Sequence, residues 1–390
     1  MSTSCDGNFR RYGREGKMME NGRTTMSVLV AVEAYPGSAS GKTITHKFVH
    51  VRNLYYQSLG IDVTVLNFSE TGQYVFEGIK VIGPREYRSQ SGSYDLLLCH
   101  QPNLKHHLRF CLRYLKDFHR AIFFFHGHEV LRMSESYPKP YPYQKTNPMK
   151  SAMRDVYDTV KFHAWRLYFS HIKERASFVF VSQWMYDEFM KWLNVDKSFL
   201  GDRAYVIPNC IGAEFEANRY QPSSCPEYDL ITIRGNLDTS KYALDLVVKS
   251  ALSNPGLKYL VVGKGDFFKY VPKPHNITWL DTTFSHEEIV SALNRSRCAL
   301  MPTRVDAQGL MMCEIASFGI PLITSDIPVC HEVLAGFPNV RFVQNEAFDC
   351  ELADLLKGIA PRLEGGSVFS KDNTIGKEVG LMQRMMREGV

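Results

Sequence analysis

Apolar positions in this chain fall into short unbroken runs and longer periodic segments, and the two alternate almost from end to end. In the first half the runs Ser27–Ala34, Asp62–Leu66, Gly78–Val81, Tyr94–Cys99, Ala121–Phe125, Phe178–Val181 and Tyr205–Ile207 are short and continuous, which predicts buried strands. Between them, helical spacing runs from the loop Tyr35–Thr43 to about Leu59, across Leu104–Phe118, within Met149–Ala176, and from a Ser182 cap to Leu193. The second half repeats the plan. Strands are predicted at Asp229–Arg234, Tyr259–Val262, Ile277–Leu280, Cys298–Met301, Pro321–Thr324 and Val340–Val343. Helices are predicted up to about Leu252, at Ser285–Asn294 with a Ser285 to Glu288 capping box, at Leu310–Phe318 and at Asp349–Lys357. Such alternation makes parallel sheets with helices on both faces, an α/β class.

The alternation breaks once. Ile211 to Glu227 carries Pro222 and Pro226 and little periodicity, and reads as a linker between a domain at 26–210 and another at 228–364. Residues 1–25 are polar, contain Gly and Arg, and lack a hydrophobic signal core, so they read as a flexible tail. Beyond 365 the pattern is poor except for the amphipathic Lys377–Arg387.

Composition narrows the class. At 390 residues, 44% hydrophobic and 22% charged, the chain can bury two cores, and neither disorder nor a fibrous fold fits. A dispersed net charge of +5 argues against a nucleic-acid binder and permits contact with phosphate or anionic lipid. Nine cysteines with no C-x-x-C spacing, several inside apolar runs, read as reduced core residues of a cytoplasmic protein. No run of about 18 apolar residues suggests a membrane span.

The chemistry concentrates between Arg297 and Glu332. Here a strand, a polar loop with Asp306, the Gly309-led helix and a second strand form one unit whose loop lies at the carboxyl end of a parallel sheet, where ligands bind in open α/β folds. Asp306 and Glu314 stand eight positions apart, one in the loop and one on the helix. The helix start offers unpaired N–H groups and a positive dipole end to an anion. The pair equally fits a loop acid and a solvated helix residue.

This unit resembles the retaining GT-B glycosyltransferases of family 4, through the loop, Gly309, Leu310, Glu314, Ala316, Gly319, Pro321 and the following strand. The chain departs from that pattern at Asp306, where the family's first Glu usually stands. The resemblance implies two Rossmann-like domains facing across a cleft, the first meeting an acceptor and the second a nucleotide-sugar donor, with a final helix crossing back to the first domain. It implies contact of Glu314 with the donor ribose, and of Asp306 with sugar hydroxyls, aided by amides near Gln308, Gly309 and Leu310. It also implies an Arg and a Lys clamping the donor diphosphate. Lys241 fits the second; Asn236 stands where the Arg is expected, with Arg234 two residues back as a substitute. The turn at Gly263 would let backbone approach the nucleotide base.

In the first half, Gly37, Ser38, Gly41 and Lys42 follow the first strand and invite a phosphate-binding reading. A P-loop needs four residues between its first Gly and its Gly-Lys pair, and Gly37 to Gly41 encloses three. In the resembled family this loop approaches donor phosphate or acceptor; a plain turn is the other reading. His126 ends its strand and would hydrogen-bond a sugar hydroxyl, with His128 and Asn209 nearer the acceptor. A His126/His128 metal pair competes but lacks a third ligand, and the resembled fold typically needs no metal or other cofactor. The Pro- and Tyr-rich stretch after the histidines would shape the acceptor site. Aromatic and basic residues mingle in Met149–Ala176, and this helix suits either the sheet face or a membrane surface.

The reading reached is a retaining, metal-independent hexosyltransferase that takes a UDP- or GDP-linked sugar to a glycan or lipid-linked acceptor in bacterial surface polysaccharide synthesis, peripheral to the plasma membrane's inner face. Its rivals are a GT-B domain that binds nucleotide or glycan without turnover and a P-loop-like phosphotransferase.

Overall fold

The computed structural model describes residues 25–37, 47–89, 94–364 and 366–387. The polar tail, and Ser38, Gly41 and Lys42 of the first loop, lie outside the described residues.

Among the described residues the first sheet has eight strands: β1 (Ser27–Val32), β2 (Asp62–Asn67), β3 (Gln73–Phe76), β4 (Ile79–Ile82), β5 (Leu96–His100), β6 (Arg120–Phe125), β7 (Ala176–Phe180) and β8 (Ala204–Val206), in the order β3-β4-β2-β1-β5-β6-β7-β8. Only β3 is antiparallel, to β4. The second sheet has six parallel strands: β9 (Tyr228–Asn236), β10 (Tyr259–Lys264), β11 (Ile277–Leu280), β12 (Ser296–Met301), β13 (Leu322–Ser325) and β14 (Val340–Val343), in the order β11-β10-β9-β12-β13-β14. Both are Rossmann-like, and every residue of β1, β5 and β7 is buried, as strands covered on both faces require.

Several local expectations need correcting. The run at Gly78–Val81 is one arm of a hairpin whose other arm, β3, is half-exposed and only four residues long. Leu104–Phe118 is a π turn at Leu104–Leu108, a short α-helix at Arg109–Tyr114 and a 3₁₀ turn at Leu115–Asp117. Gly263 belongs to β10 instead of a free turn, and the Asp349 helix starts at Leu352.

The helix read within Met149–Ala176 runs from Pro148 to Ile172, with Asn147 capping Met149 and Lys150 and Pro148 in its first turn. Its second half packs on the sheet face, as one of the two readings has it, and its first half leaves an apolar side exposed. Phe162, Trp165, Phe169 and Ile172 pack on the first sheet, where Phe169 meets Phe123 and Phe178. Met149, Met153, Val156 and Val160, which share one side of its first half, are exposed.

The terminal helix, Ile375–Arg387, packs its apolar side into the first domain's core beside the first helix, Lys47–Ser58. A buried ion pair fastens it: Arg52 Nε lies 2.9 Å from Glu378 Oε1, and the Tyr56 hydroxyl also donates to Glu378. Breaking a buried pair by removing one partner costs about 3–5 kcal/mol, so this contact holds the crossing firmly.

Candidate functional site

Residues just after β7 and β8 meet the loop just after β12, which sets the carboxyl end of one sheet against that of the other. The Ser182 hydroxyl donates to the Ala307 carbonyl at 2.6 Å, and Asn209 and Gln308 hold each other through three hydrogen bonds of 2.8, 2.8 and 3.1 Å. In the second sheet β9 and β12 are neighbours although β10 and β11 intervene in the chain, so the strand order reverses there and opens a crevice at the carboxyl edge.

Two cations occupy that crevice. Arg234, at the end of β9, is 6% exposed and donates from Nη2 to the Pro302 carbonyl at 2.7 Å; its Nε has no hydrogen-bond partner. Lys241 follows in the turn beyond β9. Tyr242 brings the two together: the Arg234 guanidinium lies 4.8 Å from its ring centroid and the Lys241 ammonium 4.6 Å. Among the described residues neither cation has a salt bridge to a carboxylate. Burial alone would lower the pKa of Lys241, but Tyr242, Asp306 and Tyr137 outweigh it and raise it above its ordinary value, so the ammonium stays charged. Burial lowers that of Arg234, which remains a guanidinium cation. Two adjacent cations without carboxylate partners, Arg234 buried and Lys241 half-buried, have the charge to suit a polyanion.

Asn236 contributes no charge; its Oδ1 accepts from the Asp238 amide at 2.8 Å, an Asx turn that shapes the loop. Gly263 is required by packing, because a Cβ there would lie 2.2 Å from the Arg234 carbonyl oxygen. Arg304, which sequence reasoning passed over, supports the Lys241 turn from below. It pairs with Asp245 through both terminal nitrogens, and its amide donates to the Lys241 carbonyl at 2.8 Å.

Gly309, at φ +72°, starts the Leu310–Phe318 helix, and no side chain caps it. That left-handed backbone disfavours any side chain, and a Cβ there would also displace the tip of Met312. The Leu310 end of this helix therefore presents bare amides. Asp306, half-buried, accepts from the Ala307 amide and lies within the fields of Lys241 and Arg234. Glu314, one turn into the helix and 3% exposed, accepts from the Gly212 amide at 3.0 Å. Burial pushes its carboxyl up to about 7, with His286 and the Gly212 amide pulling down and Glu214 pushing up.

The first domain contributes a network. Arg52 only donates, so the Asn209 Oδ1 it meets at 3.0 Å must be an acceptor, and His126 Nδ1, 3.1 Å from the same oxygen, carries its proton. His126 Nε2 lies 3.0 Å from His100 Nδ1. Glu129, also unforeseen, is 5% exposed and takes the His126 amide on its Oε1. His128 is mostly exposed, its Nδ1 3.7 Å from Glu129 Oε2. Gly37 stands at φ +78° just beyond β1. Among the described residues no three His, Cys, Asp or Glu side chains converge as a metal site would need, and no helix is long and apolar enough to cross a membrane.

The Pro- and Tyr-rich stretch requires another correction: it leaves the first domain and docks on the second. Tyr137 packs against the first core, while Tyr141, four residues on, is buried in the second. The Tyr141 hydroxyl donates to Asp245 and accepts from the Leu244 amide, both at 3.0 Å. Tyr143 donates to Asp238 at 2.7 Å and stacks on Tyr270.

Neither a protein-family model nor a curated protein sequence matches the chain. Solved structures do. A sucrose-phosphate synthase from Thermosynechococcus elongatus aligns with a TM-score of 0.65 at 13% identity, covering 94% of this chain and 100% of that one. Anabaena HepE, in complex with UDP and glucose, aligns at 0.59 and 10% identity over 92% and 99%. WaaG, a glycosyltransferase involved in lipopolysaccharide biosynthesis, aligns at 0.52 and 12% over 85% and 90%. The fold is GT-B. The paired cations and the Gly309-led helix thus belong to the second GT-B domain, and the histidine network to the first.

Proposed function

We propose that this chain is a glycosyltransferase that moves a sugar from a nucleoside-diphosphate donor to a hydroxyl of a glycan or lipid-linked acceptor. The observation that carries the reading is the pair of adjacent cations without carboxylate partners, buried Arg234 and half-buried Lys241, at the strand-order reversal of a GT-B second domain. The donor's diphosphate would lie on them and on the amides at Leu310, its ribose on Glu314 and its sugar beside Asp306, with His126 across the cleft. As the sugar carbon's bond to the diphosphate breaks, the electron pair and negative charge go to the leaving group, where the two cations act. The acceptor oxygen bonds to the same face of that carbon and its proton passes to a diphosphate oxygen, which makes the transfer retaining and independent of metal. HepE binds UDP and glucose, so a UDP-linked glucose is the first donor to try. The exposed apolar side of the Pro148–Ile172 helix suits an acceptor presented at a lipid surface.

Calorimetric titration with UDP, GDP and ADP, using the intact chain beside Glu314→Ala, tests this. One nucleotide should bind selectively and lose at least about tenfold affinity, ~1.4 kcal/mol, in the variant. Absence of binding, or equal binding by the variant, would remove the donor site from the reading.

A further inference from the structure

The strap formed by residues 131–147 has no part in the scheme above, yet it delivers a phenol to the cations. We propose that the Tyr137 hydroxyl is a ligand for the donor's diphosphate, held in place by the strap's anchors on the second domain. This deepens the glycosyltransferase reading and rests on it.

Four observations lead there. The Tyr137 ring lies 5.9 Å from the Lys241 ammonium, so with Tyr242 it flanks that cation on a second side. Its hydroxyl makes no hydrogen bond among the described residues, although the ring is half-buried. The hydroxyl is open to solvent beside Lys241, so a ligand on that cation can take its hydrogen bond. Burial raises its pKa, Lys241 opposes that, and Asp306 and Glu129 add to it, so it is a neutral O–H donor lying between the two domains' acids.

The strap is also built to fix this position. At its base Lys161 donates to the Leu131 carbonyl at 3.1 Å and pairs with Asp158, whose other oxygen takes the Met133 amide at 3.0 Å. At its far end Tyr141 and Tyr143 bond Asp245 and Asp238, and Gln144 Nε2 donates to the Asp238 carbonyl at 2.9 Å. Asp245 is the partner of Arg304, which braces the Lys241 turn, so one carboxylate registers the strap against the clamp. Tyr141, Tyr143 and Gln144 are positioning residues; Tyr137 touches the ligand.

Tyr137→Phe keeps the ring over Lys241 and removes only the donor. Titrated with UDP and UMP, or with the di- and monophosphate of whichever base binds, it should lose about five- to twentyfold affinity for the diphosphate and less than twofold for the monophosphate, with an unchanged melting temperature. Tyr141→Phe should reproduce part of the diphosphate loss, since it frees the strap without touching the ligand. Diphosphate affinity equal to the intact chain's in Tyr137→Phe would overturn the proposal, and so would an equal loss for both nucleotides. If the intact chain binds no nucleoside diphosphate, the donor-site reading itself fails, and that result is distinct from either.

Discussion

The two walls of the cleft treat their polar groups in opposite ways. On the first domain, Arg52, Asn209, His126 and His100 satisfy one another in a line running from the terminal helix to the cleft, and Glu129 takes the His126 amide. On the second, buried Arg234 and half-buried Lys241 lie side by side against Tyr242, with no carboxylate in salt-bridge reach among the described residues. A line of mutual hydrogen bonds fixes positions, whereas charge left without a counterion lowers stability until something binds it. We infer from the contrast that the first wall positions and the second binds ligand.

The hardest way to break that assignment is to remove open charge. Lys241→Ala should cut turnover of a nucleotide-sugar, read as release of the nucleoside diphosphate, by about 10²–10³, roughly 2.7–4 kcal/mol. Its melting temperature should hold or rise, because the variant removes a half-buried ammonium that has no carboxylate partner. A variant with full turnover and a lowered melting temperature would show Lys241 to be a structural residue.

Glu314 lies between the two behaviours, since one of its oxygens is engaged by Gly212 and the whole carboxyl is buried. Its carboxyl titrates near 7 when folded against an ordinary 4.5. The folded chain therefore holds that proton more tightly than the unfolded one, so Glu314's contribution to stability falls as pH rises from 4.5 to 7 and is level outside that window. Donor binding should run the other way. If the ionised form receives the ribose hydroxyls, nucleotide affinity should rise roughly tenfold between pH 6 and pH 8, following the ionised fraction. Glu314→Gln should flatten that rise in calorimetry at pH 6, 7 and 8; an unchanged slope would place the titrating group elsewhere, with His286 and Glu214, 3.0 Å apart, the next to test.

Much of this contrast was legible before the fold was known, and the reason differs by wall. Regular elements with strong periodicity came through: the Leu310–Phe318 helix, the Ile277–Leu280 strand and the Ser285 capping box stand where apolar spacing and cap chemistry put them. The half-exposed β3 did not, because four residues, Gln73 to Phe76, are too few to show a period. The strap was misplaced for another cause. Pro- and Tyr-rich sequence signals a loop but carries no period, so nothing local told that Tyr141 would be buried in the other domain's core. Arg304 was missed likewise, since its partner Asp245 is set by tertiary packing; Glu129 was missed although its bond to the His126 amide, three residues back, is local. Asn236 was understood only in part: the missing charge was visible, but its role as an Asx turn, and the way Tyr242 draws Arg234 to Lys241, needed the geometry.

The smallest effect sharpens the comparison most on the first wall, because His126 and His128 are two residues apart and differ only in surroundings. His126 has each ring nitrogen within hydrogen-bond distance of a protein atom and packs on Phe48, ring centroids 4.6 Å apart. His128 has 65% of its side chain exposed and a carboxylate oxygen at 3.7 Å, too long for a hydrogen bond. An exposed, weakly engaged side chain contributes within about 0.5 kcal/mol either way, so His128→Ala should leave the melting temperature and nucleotide affinity unchanged within error. His128 was read as a contact for the acceptor, and that contact can be measured apart from the donor's. If the first wall acts by position alone, His128→Ala also leaves untouched the ratio of sugar transferred to an added glycan over sugar lost to water. A shift in that ratio with nucleotide affinity intact would show that an exposed side chain on this wall meets the acceptor, and that the division between a positioning wall and a binding wall holds for the donor only.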